Sequence, residues 1–440
     1  MVIFMGKFTL HSNKSIDYSI EAKILKICQY LKKNLQNSQL ISIYLIGGFG
    51  RGEGSLLILN DNDFRLLKDF DFLLVFNDKV PNPNLIRIVK KEILNRYLEI
   101  MTEDVFFLHN FTIDINVTTI QNLSLYFHSS VASYEFKYSS KLIYGVDIRN
   151  KMKIIKKDFF PISSSFHFLF QKLIGLIGHL NTDKLIFNNW DINSNLNFVM
   201  ELYKTYIEIG TCLSILVKCY EPSFYARAEN LIMNKDKLQL LFEIQKIIPD
   251  LFEKIQFSTY QKLKPNQKKF PEDLKSFFIE VKEDLILVIE FLIKKYFKLD
   301  LVKNPLFFLS NEFDGYWDFF ILSNLYLKSK FLAKFTQYLK LPIYFDRYFL
   351  KLYLINNFKI KKNNKFIKLY FPNLLIYNLG YLLLKNFNFN LKQKDLIDFN
   401  RIYEKFIGSV SSEVFKNMNE EWEKARKLFI ILDSKYYGLR

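Results

Sequence analysis

Across residues 17–35 the apolar side chains Ile20, Ile24, Ile27, Leu31 and Leu35 recur at intervals of three and four, the spacing of one helical face. The pattern then changes period. Residues 41–46 (ISIYLI) form a short apolar, β-branched run that predicts a strand and leads directly into the glycine-rich segment GGFGRGEGS, from Gly47 to Ser55. A polar stretch over residues 60–65 (NDNDFR) reads as an exposed loop. It is followed by DFDFLLVF, residues 69–76, a strand with its polar residues at the entrance. PNPN at residues 81–84 ends that element, and residues 85–101 fit a helix with Ile86, Ile88, Val89, Ile93, Leu94 and Leu98 on its buried side. Two further strands are expected, over residues 105–108 and 112–118. In the second, Ile113, Ile115 and Val117 alternate with Asp114, Asn116 and Thr118. KLIYG at residues 141–145 precedes a basic, proline-punctuated segment over residues 151–161, which marks a boundary.

Beyond the boundary the period is helical, most clearly over residues 165–180, 196–220, 273–298 and 419–432. Residues 296–399 carry only weak periodicity and are read as helical, without an internal repeat. The expected fold class is therefore α+β. A domain over residues 1–150, with a small mixed sheet flanked by helices, precedes a larger, mostly α-helical domain over residues 151–440.

Composition adds a packed interior. Half of the 440 residues are hydrophobic and 17% are aromatic, which excludes the profile of a disordered chain. The formal net charge of +17 favours polyanionic partners such as RNA or a nucleoside triphosphate, although a solvated lysine-rich surface is the plainer explanation. Cys28, Cys212 and Cys219 form no CxxC pair, so neither a disulfide framework nor a zinc site is indicated. The N-terminus lacks the charged and apolar regions of a secretion signal, and no apolar run approaches the ~20 residues of a membrane span. The expectation is a cytoplasmic protein without stable membrane insertion.

The candidate chemistry lies in the first domain. Side chains at i and i+2 of a strand share a face, so Asp69 and Asp71 project together. Adjacent carboxylates repel, and such a pair makes chemical sense when a hard cation such as Mg²⁺ sits between them. Asp114, on a later strand, can add a third ligand if the two strands are neighbours. Gly47 and Gly48 let the backbone approach a phosphate closely. Arg51 offers a fork of donors suited to a triphosphate, with Ser55 closing the segment. Glu53 has no assigned role at this stage, because a carboxylate among phosphates is repelled unless metal or Arg51 meets it. Tyr203, Lys204 and Arg227 are candidates to reach substrate, against the plainer reading of solvated helix faces.

The run LIGGFGRGEGS, followed by DFDFLLV and then IDINV, resembles the DNA polymerase beta-type nucleotidyltransferase superfamily, including its stand-alone bacterial and archaeal domains. The resemblance covers roughly residues 40–150. It implies transfer of a nucleoside monophosphate from ATP or another nucleoside triphosphate to a hydroxyl acceptor, with two Mg²⁺ ions. By the same resemblance, Asp69 and Asp71 would bind both metals, Asp114 would complete the acceptor-side metal and help activate the acceptor, and Gly47 and Gly48 would hold the triphosphate. One departure is the long connection of 20 residues, positions 49 to 68, between Gly48 and Asp69.

Other chemistries find no support. There is no GxxxxGK[ST] loop, the glycines do not fit GxGxxG, and His11, His109, His128, His167 and His179 are scattered without HExxH spacing. The acceptor (RNA, a partner protein or a small hydroxylated molecule), the nucleotide and the oligomeric state stay open. The alternative is a non-catalytic nucleotide- or RNA-binding scaffold on the same fold.

Overall fold

A computed structural model describes residues 7–297, apart from 12, 36–37, 59–63, 68, 101–112, 126–130, 153, 161, 181–188 and 193, together with Leu384. The strand expected at residues 105–108 and the helical stretches expected beyond residue 297 lie outside the described residues.

The first helix, α1 (Lys14–Leu35), starts three residues before its apolar periodicity becomes evident. The side-chain oxygen of Asn13 accepts from the Ser15 amide at 2.9 Å, giving one of the helix's open donors a partner. Its buried stripe comprises Ile16, Ile20, Ile24, Ile27, Cys28, Leu31 and Leu35, the face that the spacing predicts. Strand β1 (Leu40–Ile46) follows, then a five-residue helix α2 (Gly47–Arg51), a ribbon of β2 (Leu56–Ile58) and β3 (Phe64–Leu66), and β4 (Phe70–Phe76).

Part of the stretch expected to be an exposed loop is thus strand. Leu56, Leu57 and Ile58 pair antiparallel with Leu66, Arg65 and Phe64. Leu56, Phe64 and Leu66 are all buried. The short apolar-polar-apolar run FRL lies next to the acidic NDND and is too brief to register as a strand, but burial of two of its three side chains makes it one.

Helix α3 (Pro83–Ile100) opens with proline at its first position, where the missing N–H costs nothing, and the Asn82 side chain accepts from the Asn84 amide at 2.9 Å. After it come β5 (Ile113–Thr119), α4 (Ile120–Leu125), α5 (Val131–Ser139) and β6 (Lys141–Gly145). Among the described residues the main sheet has four strands in the order β5-β4-β1-β6. β1 runs antiparallel to both β4 and β6, whereas β4 and β5 are parallel. The sheet is mixed, as α+β patterning implies, and its apolar face packs on α1 and α3 through Ile43, Leu45, Phe72, Leu74, Val89 and Ile93. Val75 and Tyr44 are also buried, so β4 and β1 are covered on both faces at mid-strand.

The later helices are α6 (Ile162–His179), α7 (Leu196–Leu216), α8 (Phe224–Asn234), α9 (Gln239–Gln245), α10 (Leu251–Leu263) and α11 (Leu274–Phe297). The chain divides into two compact units. One is drawn from Met1–Ser164, Leu213–Phe242 and Phe252–Phe270, and therefore holds the sheet together with α8 and most of α10. The other is drawn from Ser165–Cys212, Glu243–Leu251 and Pro271–Arg440. Its described interior includes an aromatic group of Trp190, Phe198 and Phe278, with centroids 5.7 to 6.1 Å apart. Among its described residues the Tyr206 hydroxyl donates to Asp284 at 2.7 Å, and Lys172 pairs with Glu201. No helix among the described residues is long and apolar enough to cross a membrane.

Candidate functional site

β4 and β5 run parallel with Asp71 directly opposite Asp114, in a register that continues through Phe72–Ile115 to Phe76–Thr119. Opposed residues of neighbouring strands present their side chains on the same face, at roughly the 4.8 Å strand separation. Asp69 lies two residues before Asp71, just ahead of the strand, and so returns to that face. The outcome is a compact cluster. Carboxylate oxygens of Asp69, Asp71 and Asp114 all lie within 4.8 Å of one another. Asp69 and Asp71 are half-buried and Asp114 is exposed.

The register of β1 places the glycine turn beside them. Ile46, the last residue of β1, pairs with Asp71, so the chain turns at Gly47 immediately next to that carboxylate. Gly47 has φ +66, a left-handed conformation, and a Cβ there would lie 2.2 Å from the Asp71 Oδ2. Any side chain would displace the aspartate as well as strain the turn. The pairing of Gly47 with Asp71 is thus steric as well as sequential.

Three carboxylates around a space of this size form a hard oxygen donor set of the kind Mg²⁺ takes, with room for phosphate oxygens and water as further ligands. The cluster already attracts a cation: the Lys90 ammonium, from α3, lies 3.0 Å from Asp114 Oδ1. Lys90 was not singled out from the sequence. It lies 24 residues away on a helix face whose polar positions look uniformly solvated, and only α3 packing on β5 brings it over.

Arg51 and Ser55, both expected to contact nucleotide, are placed elsewhere. The Arg51 guanidinium is buried, with Nε 3.4 Å from Glu53 and Nη1 3.0 Å from Glu135 on α5. Its planar group also lies over the Phe224 ring, 4.3 Å from the centroid. Burial opposes its charge, but Glu135, Glu53 and Tyr220 outweigh that and raise its pKa above the ordinary value. The Ser55 hydroxyl is buried and accepts from the Lys262 Nζ at 3.1 Å. The donor fork of Arg51 is therefore engaged by carboxylates within the fold.

Glu53 receives a definite environment. It is 2% exposed, and its carboxylate accepts from the Ser223 hydroxyl at 2.5 Å, the Phe224 amide at 2.9 Å and the Tyr225 amide at 3.1 Å. Those amides are open donors at the start of α8, where a negative charge is favoured. Burial alone would raise its pKa; Arg51, Ser223 and the two amides prevail and hold it below the usual carboxylate value.

Arg227, read as either a substrate contact or a solvated charge, is neither: it is 3% exposed, pairs with Glu135 at 3.4 Å and lies over both Tyr220 and Phe224. Tyr203 is likewise buried, at 1% exposure. Pro222-Ser223 ahead of an amphipathic run is a legible helix start. That its cap would meet a residue 170 positions earlier is not.

Compared with protein-family models, curated proteins and solved structures, the chain matches none of them.

Proposed function

We propose that this chain is a metal-dependent nucleotidyltransferase that moves a nucleoside monophosphate from a nucleoside triphosphate to a hydroxyl acceptor. The observation that carries the reading is the register of Asp71 opposite Asp114, which gathers three carboxylates beside a glycine turn whose shape leaves no room for a side chain.

Asp69, Asp71 and Asp114 are the residues that would hold two Mg²⁺ ions. When bound, the ions would neutralise triphosphate charge and lower the pKa of the attacking hydroxyl. Asp114, the most exposed of the three, takes the acceptor side by resemblance to the polymerase beta-type enzymes. Gly47 and Gly48 approach the triphosphate through their backbone. In the transfer the acceptor oxygen gives its proton to Asp114 or to water and bonds to the α-phosphorus. The bond from that phosphorus to the bridging oxygen breaks, and pyrophosphate leaves with the electron pair. Phosphoryl transfer of this kind depends on positioning and charge neutralisation, which the carboxylates and the ions they would hold supply.

One observation favours a second reading. Because Lys90 already supplies a positive charge to Asp114, the cluster can persist without metal, as in a scaffold that binds nucleotide or RNA without transfer. Incubation with each α-³²P-labelled nucleoside triphosphate, Mg²⁺ and cell extract separates the two. The expected outcome is label in one of the RNA, protein or small-molecule fractions, lowered on the order of 10²–10³-fold in Asp71→Asn, the loss typical of removing one transition-state-stabilising group. Nucleotide binding with no label in any fraction would select the scaffold.

A further inference from the structure

Glu53 makes contacts in two directions. Its backbone amide donates to the Gly48 carbonyl at 2.8 Å, closing the turn that follows β1. Its own carbonyl oxygen lies against Gly48 so closely that a Cβ there would stand 3.3 Å away. Its side chain, in contrast, is bound by the first donors of α8: the Ser223 hydroxyl and the amides of Phe224 and Tyr225. One residue thus joins the second glycine of the turn to a helix some 170 residues further along the chain.

The join is reinforced on both sides. Arg51, the last residue of α2, pairs with Glu53 and lies over the ring of Phe224, the first residue of α8. Arg227, one turn further along α8, shares Glu135 with Arg51 and lies over the same Phe224 ring. The Lys262 ammonium, from α10, lies 4.8 Å from the same Phe224 centroid while donating to Ser55, at the far end of the glycine segment. Three cations converge on one aromatic ring, and each is tied through a hydrogen bond or ion pair to the segment from Arg51 to Ser55 or to Glu135. Buried networks of this kind are rigid when fully satisfied, because moving one member strands the others.

We propose that Glu53 is a positioning residue, with Ser223 as its partner, through which the start of α8 sets the placement of the Gly47 and Gly48 backbone that receives the triphosphate. The proposal rests on the nucleotidyltransferase reading. The helix then acts on nucleotide affinity without touching nucleotide.

The test uses full-length wild type, Ser223→Ala, Ser223→Thr, Glu53→Gln and Asp71→Asn. Hydrogen exchange of the peptide spanning residues 47–54 reads the coupling directly, and equilibrium dialysis with labelled ATP, GTP, CTP and UTP in Mg²⁺ reads its consequence. Ser223→Ala and Glu53→Gln are expected to speed exchange of that peptide about tenfold and to weaken the bound nucleotide by a similar factor. Binding of Mn²⁺, followed by electron paramagnetic resonance, should be unchanged in both, since the three aspartates stay in place, and Ser223→Thr should restore wild-type behaviour. Ser223→Ala, the milder change, keeps the test valid should Glu53→Gln fail to fold. Unchanged exchange over residues 47–54 overturns the coupling. Faster exchange with unchanged nucleotide affinity overturns the positioning role. Wild type that binds none of the four nucleotides, as poorly as Asp71→Asn, overturns the functional reading and the positioning role with it, whatever the exchange result.

Discussion

Arg51 illustrates how a side chain's surroundings decide its role. By type and position it suits a phosphate, yet it is buried between Glu53 and Glu135, and its contribution is to charge balance within the fold. Arg51→Ala is expected to strand two carboxylates and cost about 3–5 kcal/mol, as breaking a buried pair does. Urea unfolding checks this, and a loss below about 1 kcal/mol would remove Arg51 from the network. Lys90 behaves differently. Its pair with Asp114 is solvent-exposed and contributes at most about 1 kcal/mol, so Lys90→Ala should leave stability nearly unchanged. Since Lys90 and a divalent ion seek the same carboxylate, the variant should bind Mn²⁺ up to about fivefold more tightly, the factor that 1 kcal/mol represents. Weaker Mn²⁺ binding would instead mean that Lys90 supports the cluster. Asp69 and Asp71 are readable as a pair from the sequence because their spacing puts them on one face, whereas strand register brings Asp114 and the glycine turn to them. Lys90 and Glu135 are not, since their proximity depends on helix packing.

At the scale of elements, the turn from β1 into α2 is constrained by its backbone conformation and by its neighbour together. Gly47 must adopt positive φ and must lack a Cβ because Asp71 occupies that space. Gly47→Ala is expected to retain the fold at a cost of about 1–2 kcal/mol, while Mn²⁺ affinity falls as Asp71 is pushed aside. Paired thermal-melt and Mn²⁺-binding curves test this, and metal affinity equal to wild type would show that Asp71 has room to move. The elements themselves follow local pattern where the pattern is long. α1, β1, β4, β5 and α3 lie within a few residues of their expected limits. The ribbon of β2 and β3 escaped notice because three-residue strands carry too little periodicity, and their pairing with each other defines them. α8 begins at a cap signal that is plain in PSF, but the meeting of its first donors with Glu53 depends on where the chain returns.

Over the whole molecule, pH should expose the buried network. The Glu53 carboxyl has a folded pKa below its unfolded value, so its contribution is present above about pH 4.5 and is lost as pH falls through the folded value. Tyr44, whose hydroxyl accepts from the Ile148 amide and whose pKa burial raises to about 12, contributes in the opposite sense. Its share is complete below about pH 10 and is lost as pH rises through the folded value. Denaturation midpoints should therefore fall on both sides of a neutral plateau, and Glu53→Gln should flatten the acid limb. An acid limb identical in wild type and variant would dismiss Glu53 as its source. What the sequence by itself determined is the α+β class and the sharing of one strand face by Asp69 and Asp71, because strand and helix periods are local properties of the chain. What only tertiary structure decided is which charges remain available to a ligand. Whether Arg51 faces a ligand or Glu135, whether Glu53 repels phosphate or caps a helix, and whether Lys90 is solvated or joined to Asp114 all depend on long-range packing. Burial makes the energy of a charge depend on its neighbours in space, and those neighbours come from distant parts of the chain.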